Sequence, residues 1–467
     1  MRTLLHRTRS GVAAALAALA LAGCSGFLTG PGLDNDPNLA SPDLASARQL
    51  FVAVQSAQFT QFGGTTAYTI CIWLQQCNAR NNRFLEVQGR TYVVSNATFS
   101  PDFSALYTGG GLVDLRQIQA RARDGGDQLL LGIAQVWEAI VIGEAADKWG
   151  DLPYSEAVDS TVRTPVLDNQ LDVYAALQTL LDQAIANLNS GNGVGPGTAD
   201  LVYGGDPALW VRLANTLKAR YLLHTVEANG NAQGAALAGN ALYTQIAALA
   251  ANGISSPAGD FRVVLSGANQ NESNTWWQFN QSSFGADLFA GDRLVITMNA
   301  RNDPRRTEYF GPTLPTVVGS NIEGTRNAPD YDQPWVTYVE NLLIRAEAEL
   351  LRPGGGVAAA QAVYNTYRSA AGLPAATLPG TVAGALTEIM TEKWIALFQN
   401  WESWNDYKRT CIPALVPTAS QPAFYGRIPA RLYYGDAEQN ANPNIPTAAT
   451  QISTRENRNR NDPLPCP

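Results

Sequence analysis

Histidine is nearly absent. Only His6 and His224 occur in 467 residues. A zinc site needs clustered imidazole or thiolate ligands, and neither the histidines nor the five cysteines are spaced for one. No metal and no other cofactor is therefore expected. Charge is also scarce: Asp, Glu, Lys and Arg make up 15% of the chain, with a net charge of -8. Without a basic patch to neutralise phosphates, the composition excludes nucleic acid as a partner. Past residue 24 no run reads as apolar enough to cross a bilayer. Catalytic patterns are missing too. No serine stands in a nucleophile elbow. Gly109-Gly110-Gly111 follows Tyr107 rather than a strand, so it is no phosphate cradle. His224 sits inside a helical stretch beside Leu223 and reads as a partly buried helix residue. Glu347 and Glu349 are two apart on a helix and do not share a face, which argues against paired-acid hydrolysis. A buried ion pair between Glu347 and an arginine is expected instead. No enzymatic activity is expected from these patterns.

What is present begins at the N-terminus. Arg2, Arg7 and Arg9 precede an apolar run over 11–22 that ends in small residues. This is the pattern of a secretory signal. Leu21-Ala22-Gly23-Cys24 resembles the bacterial lipobox, which implies that Cys24 becomes the first mature residue and carries lipid. Acyl chains anchor at roughly 0.8 kcal/mol per buried CH2, and two or more hold stably. Residues 1–23 then form the signal, 24–42 a Gly/Pro/Asp/Asn-rich tether, and 43–467 the body. Four cysteines remain: Cys71, Cys77, Cys411 and Cys466. An even number in an exported chain permits disulfides, and the local pairing is Cys71–Cys77 with Cys411–Cys466.

The body is expected to be mostly α. Helical periodicity is read over 43–59, over 104–124 and 127–148 as a pair across Gly125-Gly126, and over 169–189. In the third of these, Leu130, Ile133, Trp137 and Val141 share a face. Asp206-Pro207 opens another helix as N-cap and N1. Further helices are read over 235–251, 334–351, 357–371 and 386–400. Residues 255–330 form a long irregular insertion with loops or short strands. The chain after Arg409 also looks irregular. The turn Trp149-Gly150-Asp151-Leu152-Pro153 is read as a helix stop in which Asp147 or Asp151 binds local backbone N–H groups. Glu392, Asp406 and Arg409 read as a polar network.

Aromatic rings can stack on a ligand and side-chain amides can hydrogen-bond it. Two aromatic and amide-rich clusters lie where the helical pattern lapses, on segments of the kind that carry binding. The first holds Tyr68, Trp73, Asn78 and Arg83, with Gln75 and Gln76 between. The second holds Trp276, Trp277 and Phe284, with Gln278 and Asn280. These are the candidate ligand contacts.

Several segments, in order, resemble the SusD/RagB family of outer-membrane nutrient-binding lipoproteins. After the lipobox come Leu33-Asp34-Asn35-Asp36-Pro37-Asn38 and then Asp147-Lys148-Trp149-Gly150-Asp151-Leu152-Pro153-Tyr154. Leu213-Ala214-Asn215-Thr216-Leu217-Lys218-Ala219-Arg220, Asp303-Pro304-Arg305 and Leu343-Ile344-Arg345-Ala346-Glu347-Ala348 follow. Glu392-Lys393-Trp394, Trp404-Asn405-Asp406-Tyr407-Lys408-Arg409, Arg427-Ile428-Pro429 and Glu438-Gln439-Asn440-Ala441-Asn442-Pro443-Asn444 close the series. The resemblance implies a superhelical body of tetratricopeptide-like helix pairs, lipid-anchored in the outer membrane and exposed at the cell surface. It implies capture of an oligosaccharide or peptide for a SusC-like TonB-dependent transporter. The alternative is a lipid-anchored helical-repeat scaffold that binds proteins and no nutrient.

Overall fold

The computed structural model describes residues 45–79, 92–282, 287–310, 322, 324–417, 427–447, 449–451 and 460–466. Cys24, the signal and the tether lie outside them. The chain divides into residues 1–50 and 51–467; of the first unit only 45–50 are described, and they open the first helix.

That helix, α1 (Ala47–Phe62), is followed by α2 (Thr65–Trp73) and the short strand β1 (Cys77–Ala79). The expected helix over 104–124 is instead two: α3 (Ser100–Ala105) and α4 (Leu112–Asp124). Gly125 and Gly126 then turn the chain into α5 (Gln128–Trp149), Gly126 with φ of 68° in the left-handed region. Asp127 caps α5 by accepting from the Leu130 N–H.

Helix α5 is buried on every side from Leu130 to Trp149, not along one stripe. By length and composition it could cross a membrane, which corrects the expectation that no run past residue 24 is so apolar. Its polar residues settle where it sits. Glu138 accepts from Gln119 Nε2 at 2.5 Å and Tyr154 Oη at 3.0 Å, and Glu144 stands 3.5 Å from Lys148. Asp147 faces His224 at 2.8 Å. These groups find partners inside the body, where α4, the next helix α6 (Gln170–Ser190) and α7 (Pro207–Leu223) pack round α5. Asn169 caps α6, and Asp206 with Pro207 at N1 opens α7 as expected. The helix expected over 235–251 is interrupted: α8 (Val226–Gly230) and a 3-10 turn at Gly234–Leu237 precede α9 (Leu242–Ala251).

The insertion contains β2 (Phe261–Val263), α10 (Thr275–Gln281), β3 (Leu288–Ala290), α11 (Asp292–Ala300) and α12 (Arg306–Tyr309). Pro334 belongs not to a helix but to β4 (Gln333–Val336), which pairs antiparallel with β2. Thr337 then caps α13 (Tyr338–Leu351), and α14 (Val357–Ala370), α15 (Val382–Ala396), α16 (Glu402–Thr410) and α17 (Asp436–Ala441) follow. The region after Arg409 is therefore not wholly irregular.

Two cores result. Trp137 gathers Phe51, Phe59, Trp210, Phe261 and Trp335 with ring centroids 5.2–6.5 Å away. An aliphatic core joins α7, α9, α13, α14 and α15. Between them runs a buried ionic network. Arg220 pairs with Glu340 (2.6 Å), Lys393 with Asp406 (2.8 Å) and Arg305 with Glu392 (3.0 Å). Arg409 holds Glu347 and Asp406 together. The body is a mostly helical stack of tetratricopeptide-like pairs, with α4–α5, α6–α7 and α13–α14 as consecutive packed pairs.

Candidate functional site

The two clusters singled out in the sequence come together across some two hundred residues. Strand β1 pairs antiparallel with β3, with Asn78 opposite Phe289, and the Gly291 N–H donates to the Gln76 carbonyl at 2.8 Å. A Cys71–Cys77 disulfide, S–S 2.02 Å, closes the turn from α2 into β1. Above the ladder the Tyr68 hydroxyl donates to the Thr275 carbonyl at 2.8 Å. The Tyr68 ring lies 4.7 Å from those of Trp276 and Phe279. Burial pushes the Tyr68 phenol above its ordinary range, so it remains a donor.

Helical spacing then sorts α10 into two faces. Trp276 and Phe279, three apart, turn toward Tyr68. Trp277, Asn280 and Gln281 take another face by the same spacing: Trp277 and Asn280 are half-buried and Gln281 is exposed. Asn274 fixes the helix start: its Oδ1 accepts from the Trp276 and Trp277 N–H groups at 2.8 and 3.3 Å. Its Nδ2 donates to the Tyr331 carbonyl at 2.8 Å. Asn280 Nδ2 donates to Asn327 Oδ1 at 2.8 Å. A half-buried indole beside side-chain amides, on a short helix clamped at its N-terminus, suits the apolar face and hydroxyls of a sugar ring.

The candidate residues thus separate. Tyr68, Trp73 and Trp276 are 6%, 0% and 1% exposed. Trp73 turns away from the pair, its ring edge-on to Phe99 and to Trp404 at 5.6 Å. As placed, these three rings stabilise the scaffold under the site, because no ring face is left for a ligand. Asn78 is half-buried in the ladder, where its Oδ1 accepts from the Ala79 N–H. Of the candidate aromatics Tyr68, Trp73, Trp276 and Trp277, it is Trp277 that keeps part of its surface open. Arg83 and Phe284 lie outside the described residues. Sequence reasoning passed over Asn327 and Tyr331, although that stretch has the same mixture of amide and aromatic residues as the two clusters.

Other constellations close on themselves. His224 stands between Asp147 (Nδ1–Oδ1, 2.8 Å) and Glu402 (Nε2–Oε1, 2.8 Å), all three buried. Burial alone would strip its proton, but the two carboxylates outweigh burial and push its pKa up to about 10. Burial would raise Glu402 too, yet His224 and Arg220 hold it down to about 2. The ring nitrogens point opposite ways, each at hydrogen-bond distance from a carboxylate, so the charged imidazole bridges Asp147 and Glu402. Glu347 is consumed by Arg409 and Glu349 by Arg352. Asp151 does not bond its own turn. It accepts from the Gln170 N–H at the start of α6, 19 residues on. Cys411 and Cys466 are also bonded.

A family model described as "starch-binding associating with outer membrane" matches residues 37–435. A solved SusD/RagB family protein from Bacteroides thetaiotaomicron is 22% identical, with TM-score 0.67 over 88% of this chain and 97% of that one. A chitin-binding SusD homologue from Flavobacterium johnsoniae is 19% identical, with TM-score 0.71 over 90% and 98%. A second SusD-like protein from Bacteroides thetaiotaomicron, 21% identical, superposes with TM-score 0.70 over 90% and 98%. No curated protein matches the chain.

Proposed function

The chain belongs to the SusD/RagB family, and from that premise we propose that it is a non-catalytic binding lipoprotein of the outer membrane. It captures an oligosaccharide and passes it to a SusC-like TonB-dependent transporter, with Cys24 as its lipid anchor at the cell surface. The observation that supports saccharide over peptide is the α10 face, where Trp277 stands with Asn280 and its partner Asn327. Indole and amides match C–H faces and hydroxyls, while no unpaired charge among these residues offers itself to a peptide terminus. That a chitin-binding homologue shares the fold lends further support.

Calorimetry of the mature protein against chitin-type and starch-type oligosaccharides, beside a peptide library, tests the ligand. Co-purification of a large β-barrel from native membranes tests the partner. Saccharide binding that weakens on Trp277→Ala supports the reading. Barrel-free isolation together with peptide-only or no ligand binding overturns it in favour of a protein-binding scaffold.

A further inference from the structure

Helix α10 leans on a short piece of chain. A single 3-10 turn, Gly324–Asn327, is followed by residues 328–332, which lead into β4. Three hydrogen bonds tie this piece to α10. Asn280 Nδ2 donates to Asn327 Oδ1, Asn274 Nδ2 to the Tyr331 carbonyl and the Asn274 N–H to the Pro329 carbonyl, each at 2.8 Å. The bond between the two amides uses one donor group and one acceptor. It leaves an acceptor on Asn280 and a donor on Asn327, and neither bonds another described residue. Turning both amides over leaves the same complement of one donor and one acceptor. A sugar hydroxyl both donates and accepts, so it can bridge the two.

A four-residue 3-10 turn has little stability of its own. Its anchor is Arg326, next to Asn327 in the chain and buried. Arg326 Nε donates to Glu308 Oε1 on α12 at 3.0 Å, and Nη1 donates to the Phe398 carbonyl at 3.0 Å. The guanidinium carbon lies 4.2 Å from the centroid of the Tyr309 ring. Tyr309 is itself stacked on Phe398, centroids 5.0 Å apart, and its hydroxyl donates to the Ile395 carbonyl at 3.1 Å. One planar cation thus meets three groups from two parts of the chain. Its edge hydrogen-bonds while its face stacks, a combination that lysine does not supply.

We propose that Arg326 is a positioning residue of the saccharide site. By pinning the turn to α12 and to Phe398, it holds the Asn327 amide where that amide and Asn280 grip one ligand hydroxyl together. This rests on the reading of α10 as the saccharide-binding face. Without the guanidinium the turn keeps its bonds to α10 but loses its hold on the body, and the Asn327 amide has no fixed place for a ligand.

A double-mutant cycle on the intact mature protein tests this, with calorimetry against chitin-type and starch-type hexasaccharides. For a probe that the wild type binds, Arg326→Gln weakens affinity about fivefold, the scale of one lost hydrogen bond. Asn327→Ala weakens it by a similar factor. In the Asn327→Ala background, Arg326→Gln costs less than about twofold more, because the group it positions is already gone. If Arg326→Gln does not fold, Arg326→Lys takes its place in the cycle, since it keeps a charge beside Glu308 but forfeits the combined stack and fork. The same loss in both backgrounds means that Arg326 supports the body in general, and overturns the inference. Unchanged affinity in Arg326→Gln, or a loss there with none in Asn327→Ala, overturns it too. A wild type that binds neither probe overturns the saccharide reading itself, and this inference falls with it.

Discussion

The Tyr68 ring meets Trp276 edge-on at 4.7 Å, with an interplanar angle of 77°. This contact joins two chain segments that each look like free binding loops in the sequence, and it sets the adjacent tryptophans of α10 apart, Trp276 buried and Trp277 half-buried. Trp276→Ala removes a ring that is 1% exposed and costs about 3–5 kcal/mol of stability. Trp277→Ala costs little stability but weakens saccharide binding by about 1–3 kcal/mol, on the scale of aromatic stacking. Paired denaturation and calorimetry check this. A large stability loss from Trp277→Ala with unchanged affinity would assign that ring to packing as well.

His224 gives a two-sided pH dependence. Its pKa is raised on folding to about 10, so its contribution is complete below about 6.5 and disappears as pH rises through about 10. Glu402 is lowered to about 2, so its contribution is present above about 4.5 and disappears as pH falls through about 2. His224→Gln leaves Asp147 and Glu402 buried without their cation and loses about 3–5 kcal/mol near pH 6. The gap from wild type narrows toward pH 10. Urea unfolding across pH measures both limbs, and a gap independent of pH would contradict the charged clasp.

Glu347 and Arg409 form a pair that is 0% and 1% exposed, with Asp406 sharing the guanidinium at 2.6 Å. Glu347→Gln strands part of that charge, and about 3–5 kcal/mol is lost. Replacing Glu347 and Arg409 together by Leu and Met recovers most of it. Chemical denaturation of the single and double variants decides the point: equal losses in both would mean that packing, not charge, dominates.

Gly143 lies where α5 meets α7, and a Cβ at that position would fall into the Tyr221 ring. That ring is held by its hydroxyl, which donates to the Ala139 carbonyl at 2.8 Å. Gly143→Ala therefore destabilises by about 1–3 kcal/mol although alanine favours helix, because the clash outweighs the gain in propensity. A higher melting temperature in the variant would show that the two helices can part.

Cys24→Ala leaves a folded body with wild-type unfolding but sends it to the soluble fraction, since it lacks the proposed acyl chains that hold it at the membrane. Fractionation and circular dichroism read the two halves of this expectation. Membrane retention of the variant would refute the anchor.

The sequence by itself determined the elements whose signals are local. Asp206-Pro207 opens α7 and Gly125-Gly126 separates α4 from α5, because caps and turn glycines act on backbone groups within a few residues. It also led to the expectation that Glu347 pairs with an arginine, since a carboxylate on a helix face crowded with leucines is costly to bury alone. Which arginine it finds is a tertiary matter, because Arg409 is 62 residues away. The same holds for Pro334, whose strand exists only through β2, and for α5, whose apolar surface is consistent equally with a membrane span and a core. The site divides in the same way. Composition marked aromatic and amide clusters, but the inward face of a seven-residue helix is set by what packs against it. Tyr68, 207 residues before Thr275, makes that decision through its bond to the Thr275 carbonyl, with Trp276 buried and Trp277 half-buried on another face.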